Sequence, residues 1–304
     1  ETLRFPSFPS TEMERERQVQ MAGIRAQKDQ LLGRCFKLMK KGLFGEKGYG
    51  LSNAGEESSV QSLSIEQIKS HHGRLVKPGN QVLSIFGDID IEQVKKELSN
   101  LREDSSESSM IELPQSPSET RVETLALSET CDKKQSVVVF GFPGTTFFDK
   151  ERHALDLLQE TCSDLGSRLF MRIRDELGLA YYVGAQHMPG IVRGYFGFYA
   201  GTSPEHVEQV KEEFKIQINK IKSEGITQQE LDRSKAKMLG QKQIARQDLG
   251  HLAMASALDE LYGLGFQHPL EEDAAIRAVS LEDVQKAAEK IFDLENSTVA
   301  VVGP

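Results

Sequence analysis

The chain has 304 residues, of which 38% are hydrophobic and 27% charged, ordinary proportions for a globular protein and enough for one large or two medium domains. A formal net charge of -9, a sequence pI near 5.4 and basic residues scattered among acids leave no electrostatic footprint for nucleic acid. No run of about eighteen apolar residues occurs, so neither a bilayer-spanning helix nor a membrane partner is expected.

In chain order, Ser64 reads as the N-cap of a helix, with Glu66 two residues on and apolar positions at helical spacing. Asn80 then opens an apolar run, Gln81-Val82-Leu83-Ser84-Ile85-Phe86, that predicts a buried strand closed by Gly87. Residues 102–120 are rich in Ser, Pro and Glu without periodicity and predict an exposed linker. Beyond it come a strand over Gln135–Phe140, a helix over Glu151–Cys162, a helix over Ser167–Glu176 ended by Gly178, and strands over Ala180–Gln186 and Gly194–Ala200. A helix over Pro204–Ser223 and another from Thr227 follow. Ser280 then caps a helix, and Asn296 opens a strand running to Gly303.

The two ends of this series match. Ser64 and Ser280, like Asn80 and Asn296, stand 216 positions apart, and the same offset takes Thr11, Glu14 and Arg17 onto Thr227, Glu230 and Arg233. Two divergent copies of one helix-and-strand module are expected: 1–101, a linker at 102–120, and 121–304, each an antiparallel sheet covered by helices on one face in an α+β fold. The first copy opens where the second has reached about residue 217, so about ninety to a hundred residues of it are expected upstream and the chain is read as a fragment.

Candidate chemistry is concentrated in Ser167-Arg168-Leu169-Phe170-Met171-Arg172-Ile173-Arg174-Asp175-Glu176-Leu177-Gly178-Leu179-Ala180-Tyr181. Leu169, Phe170 and Ile173 point inward in this reading, and Arg174 and Tyr181 project from one corner, where a permanent cation and a phenol suit a peptide carbonyl or a developing oxyanion. The plain alternative pairs Arg174 with Glu176 or the helix dipole and makes Tyr181 an ordinary strand aromatic. His71 and His72 are adjacent and lack the i, i+4 spacing that presents two ligands on one helix face, so they read as solvent-facing. Cys35, Cys131 and Cys162, odd in number and without a C-x-x-C spacing, read as structural thiols. The Glu205–Lys222 stretch reads as a solvated helix face, and Met171, Met238 and Met254 as core filler.

Taken with GYFGFYAGTSPEHVEQVKEEF, ITQQELDRSKAKM and GNQVLSIFGDID, the segment SRLFMRIRDELGLAYYVGA resembles the second half of the M16 (pitrilysin/insulinase) zinc metallopeptidases over essentially the whole chain. The resemblance implies the LuxS/metallohydrolase-like, mitochondrial processing peptidase-like module, duplicated, with its first copy shortened at the N-terminus. It also implies that Arg174 and Tyr181 bind the substrate backbone, and that an HxxEH motif and its zinc belong to an N-terminal half on the same polypeptide or a separate subunit. No HxxEH occurs here. Where Glu16-Arg17-Gln18-Val19-Gln20-Met21-Ala22-Gly23-Ile24 resembles the family helix carrying the distant zinc-ligating glutamate, Gly23 stands at the ligand position and offers no donor atom. The implied function is the non-catalytic half of a zinc endopeptidase that encloses unfolded peptide. The alternative is a non-hydrolytic assembly subunit built on the same fold.

Overall fold

A computed structural model of the chain describes residue 3 and residues 5–101 and 124–304; the expected linker lies outside them. The described residues pack as two compact units, one drawn from 1–21, 57–113 and 239–274, the other from 22–56, 114–238 and 275–304.

The second unit is organised by a five-stranded sheet. Its strands are β1 (Leu125–Thr130), β2 (Ser136–Pro143), β3 (Ala180–Met188), β4 (Tyr195–Thr202) and β5 (Thr298–Gly303), in the order β1-β5-β2-β4-β3. The sheet is mixed, because β1 runs parallel to β5 while the other pairs are antiparallel. It is also covered on both faces, which corrects the one-sided sheet expected above. Along β2, Val138, Phe140 and Phe142 face one way and Val137 and Val139 the other, and every position of the strand is buried. On the first face Phe140 meets Phe214 of α7 (Val207–Glu224), and Phe142 meets Phe292, which caps the C-terminal end of α11 (Leu281–Ile291). On the second, Cys35, Phe36, Met39, Leu43 and Phe44 of α2 (Leu31–Phe44) pack against Val137, Val139, Ala300 and Val302. The run VVVFGFP after Ser136, apolar throughout, is what a strand buried on both faces requires.

The first unit is helical. Arg17 of α1 (Ser10–Gln27) donates to the carbonyls of Gln61 and Leu63 at 2.8 Å each, at the end of α3 (Glu57–Ser62). Here α4 (Ile65–Leu75) is followed by a 3₁₀ turn at Pro78–Asn80, and α11 is followed by its own 3₁₀ turn at Leu294–Asn296, so the same elements recur at the 216-residue offset. The likeness stops at the next step. At that offset residues 298–302 enter the sheet as part of β5, but residues 81–86, expected to be a buried strand, form none. The reason is the neighbours: β5 lies between β1 and β2, and no strands flank 81–86 among the described residues, leaving Leu83 66% exposed. After this run come α5 (Ile91–Leu101) and, between β4 and β5, α8 (Gln228–Ala245), α9 (Leu249–Leu261) and α10 (His268–Ala278). Within the first unit, Arg246 forks onto Asp273 at 2.7 and 2.8 Å, fastening the C-terminal half of α8 to α10. No helix among the described residues is long and apolar enough to cross a membrane.

Candidate functional site

The helix after α6 (Arg152–Cys162) starts with a short cap: the Ser167 hydroxyl accepts from the Phe170 amide at 3.1 Å. From Phe170 to Glu176 it is a π-helix, its widened turn closed by Leu177 N–H donating to Arg172 O at 3.2 Å. Nothing in FMRIRDE, which lacks Gly and Pro, announces this geometry. Gly178 adopts φ of +63°, the left-handed C-terminal position expected of it, and Leu179 N–H closes the turn onto Ile173 O at 2.9 Å. Leu169 and Ile173 are fully buried, as the inward face requires.

The three arginines of this helix differ in how their charge is met. Arg168 forks onto Glu230 at 2.9 and 2.6 Å, and Arg172 bridges Glu213 at 3.1 Å and Glu176 at 2.9 Å. Glu176 is therefore Arg172's partner and not Arg174's. Arg174 is exposed, lies over the Phe170 ring at 4.6 Å from its centroid, and has no carboxylate partner among the described residues.

Tyr181 sits where the β3–β4 register slips between Ala180 and Tyr182. Such a bulge re-aims the extra side chain, and Tyr181 is 54% exposed with no partner for its hydroxyl among the described residues. The structure thus places both predicted residues on the rim where the π-helix hands over to β3, an edge strand of the sheet. Neither polar end has a hydrogen-bond or carboxylate partner among the described residues.

One cluster has no counterpart among the residues singled out from the sequence. His187 Nδ1 lies 2.7 Å from Asp156 Oδ1, its Nε2 lies 2.9 Å from Thr145 Oγ1, and its ring stacks on Phe196. The order hydroxyl, imidazole, carboxylate is that of a nucleophile relay. With Thr145 only 2% exposed, however, the network serves to fasten β3, α6 and the loop after β2. No sequence spacing links positions 145, 156 and 187, since only the sheet brings them together. His71 and His72 are taken by local contacts, with Arg74 at 3.1 Å and with the edge of the Phe8 ring. Met171 and Met254 are 45% and 58% exposed, not core filler, and Glu213 on the helix read as solvated is buried beneath Arg172.

The donor set does not fit zinc. Gly23 is exposed with nothing within 4 Å of where a side chain would begin, and no group of three or more His, Cys, Asp or Glu is placed to hold a metal ion among the described residues.

The site is thus a mixed sheet with helices on both faces and Arg174 and Tyr181 at its edge, with no group of side chains placed to hold a metal ion among the described residues. The family described as Peptidase M16 inactive domain matches residues 62–238, and the chain belongs to it. A relative named an uncharacterized zinc protease in Rickettsia bellii (strain RML369-C) is 25% identical over 300 residues, covering 98% of this chain and 71% of its own length. One from Helicobacter pylori (strain ATCC 700392 / 26695), named non-peptidase homolog YmxG, is 25% identical over 320 residues, covering 99% of this chain and 70% of its own. The fold is shared with the crystal structure of a peptidase M16 inactive domain from Pseudomonas fluorescens, at a TM-score of 0.87 and 20% identity over 100% of this chain and 73% of that one.

Proposed function

We propose that the chain is the substrate-holding, non-catalytic half of an M16-type endopeptidase, gripping an extended peptide for cleavage by a zinc-bearing half that carries HxxEH. The observation that carries this reading is the unmet charge of Arg174 beside two arginines already satisfied by carboxylates. A guanidinium facing water and a bulged tyrosine on an edge strand are free to donate to the carbonyls of a peptide laid along that edge. Residues 1–101 and 121–304 are then parts of two copies of one module, and closure of the two halves would keep water from the held peptide.

The test is kcat/KM of the enzyme reconstituted with its zinc-bearing half. Arg174→Ala is expected to lower it about 10–100-fold and Tyr181→Phe about tenfold, each removing donors to the substrate while leaving the fold intact. Unchanged values in both would sink the assignment. A non-hydrolytic assembly subunit is the second reading, favoured by the absent metal donor at position 23 and by the name of the Helicobacter pylori relative. It expects no cleavage with any zinc-bearing partner and no effect of either substitution on peptide binding.

A further inference from the structure

The helix α2 has two faces with different surroundings. Cys35, Phe36, Met39 and Leu43 are buried against the sheet, while Arg34, Lys37, Lys40 and Lys41, at spacings of three, three and one, share the other side. That side walls an open cavity of about 650 Å³, within the size range of small-molecule sites, faced by the turn at Ser52–Gly55.

Four cations on one helix face repel each other unless answered. Arg34 is answered by Glu129, Lys37 by Glu56 at 2.5 Å and Lys41 by Glu46 at 3.1 Å. Lys40 is half-buried and has no carboxylate or hydrogen-bond partner among the described residues. Burial, and then the charge of Lys37, holds its ammonium below the ordinary lysine range. A half-buried charge left without a counter-ion is costly, and here it lines a cavity large enough to admit one, whose other charged walls are Lys28, Arg34, Lys37 and Lys41 with the carboxylates of Glu56 and Glu129. Lysines act as point charges that suit phosphate, and the facing turn offers the Ser52 hydroxyl and the Asn53 amide as further donors.

We propose that this cavity binds a small phosphate-class polyanion, seated on Lys40, with Lys37 and Lys41 able to turn to it from their carboxylates Glu56 and Glu46. The site is independent of the Arg174–Tyr181 rim and of the function proposed for it.

Calorimetric titration of the chain with inorganic pyrophosphate and with adenosine diphosphate, in about 20 mM salt so that screening stays weak, tests the site. Binding of both is expected. Equal affinities mean that the phosphates alone are held, and a tighter nucleotide means that the organic part is held too; either outcome supports the site. Lys40→Gln should weaken pyrophosphate about tenfold with an unchanged circular dichroism spectrum, and Lys40→Arg should stay within a few-fold of the parent. Asn53→Ala is a second variant expected to weaken binding, and Lys211→Gln, on α7, is expected to leave it unchanged. The proposal is overturned by no pyrophosphate binding, by Lys40→Gln binding like the parent, or by a hexaglutamate peptide binding tighter than pyrophosphate.

Discussion

Asp156 is a buried-network carboxylate whose protonation bears on the fold. Burial pushes its carboxyl up, but contacts from His153 and His187 and the charges of His187 and Arg152 outweigh this and hold it well below the usual carboxylate range. A carboxyl lower in the folded than in the unfolded chain contributes stability that is present above the unfolded value, about 3.9, and lost as pH falls through the folded one. Asp156→Asn is therefore expected to cost about 1–3 kcal/mol at neutral pH. Urea midpoints of parent and variant should converge as pH drops below about 4, and a constant gap would contradict this. The thiols make a second case. Burial pushes Cys35 and Cys162 each up to about 12, and Cys35 Sγ also lies 3.4 Å from Val137 O and 3.3 Å from Ala300 O. A disulfide-exchange reagent at about pH 8 should titrate one thiol, Cys131, in the native chain and all three in denaturant; prompt native labelling of Cys35 would contradict the burial argument.

Among the elements, α4 and α11 start in the same way. Ser64 and Gln67 in one, Ser280 and Asp283 in the other, exchange side-chain and backbone hydrogen bonds as capping boxes. Ser280→Ala should cost about 1 kcal/mol in a urea titration, because α11 buries Val284, Ala287, Ala288 and Ile291 and its melting would open the core. Gly178→Ala should cost about 1–2 kcal/mol, since φ is +63° there, and should also disturb the handover from Arg174 to Tyr181. Both serines were legible in the sequence as caps, and so were α6, the strands flanking Gly194 and the glycine stop. These signals are local: a short polar side chain before helical periodicity, alternating apolar residues, a glycine where a helix must end. Arg174 and Tyr181 stood out in the sequence as a cation and a phenol at one corner, and the family resemblance alone gave them a proposed role. What distinguishes them, a π turn, a bulge and the capture of Glu176 by Arg172, depends on hydrogen bonds and pairings that no spacing encodes. The parallel pairing of β1 with β5 and the placing of α2 on the sheet join residues far apart in the chain, so they too were beyond local reading.

At the scale of the whole molecule, apolar surface is concentrated where the offset comparison fails. Val82, Leu83, Ile85 and Phe86 are 37–66% exposed in one run of sequence, and such a run favours association with other chains. Sedimentation velocity should show self-association growing with concentration, and Leu83→Lys should reduce it; equal behaviour of the two chains would place the contact elsewhere. A different consequence comes from the sheet order. β5, the last strand in sequence, lies between β1 and β2 and so occupies the interior of the sheet. During synthesis β1 and β2 leave the ribosome more than a hundred and fifty residues before 298–303, and neither gains its β5 partner until that stretch has emerged. Assembly of this unit is therefore held back until residues 298–303 have been made, and the waiting strands, with the apolar face of α2, are the surface a chaperone would meet.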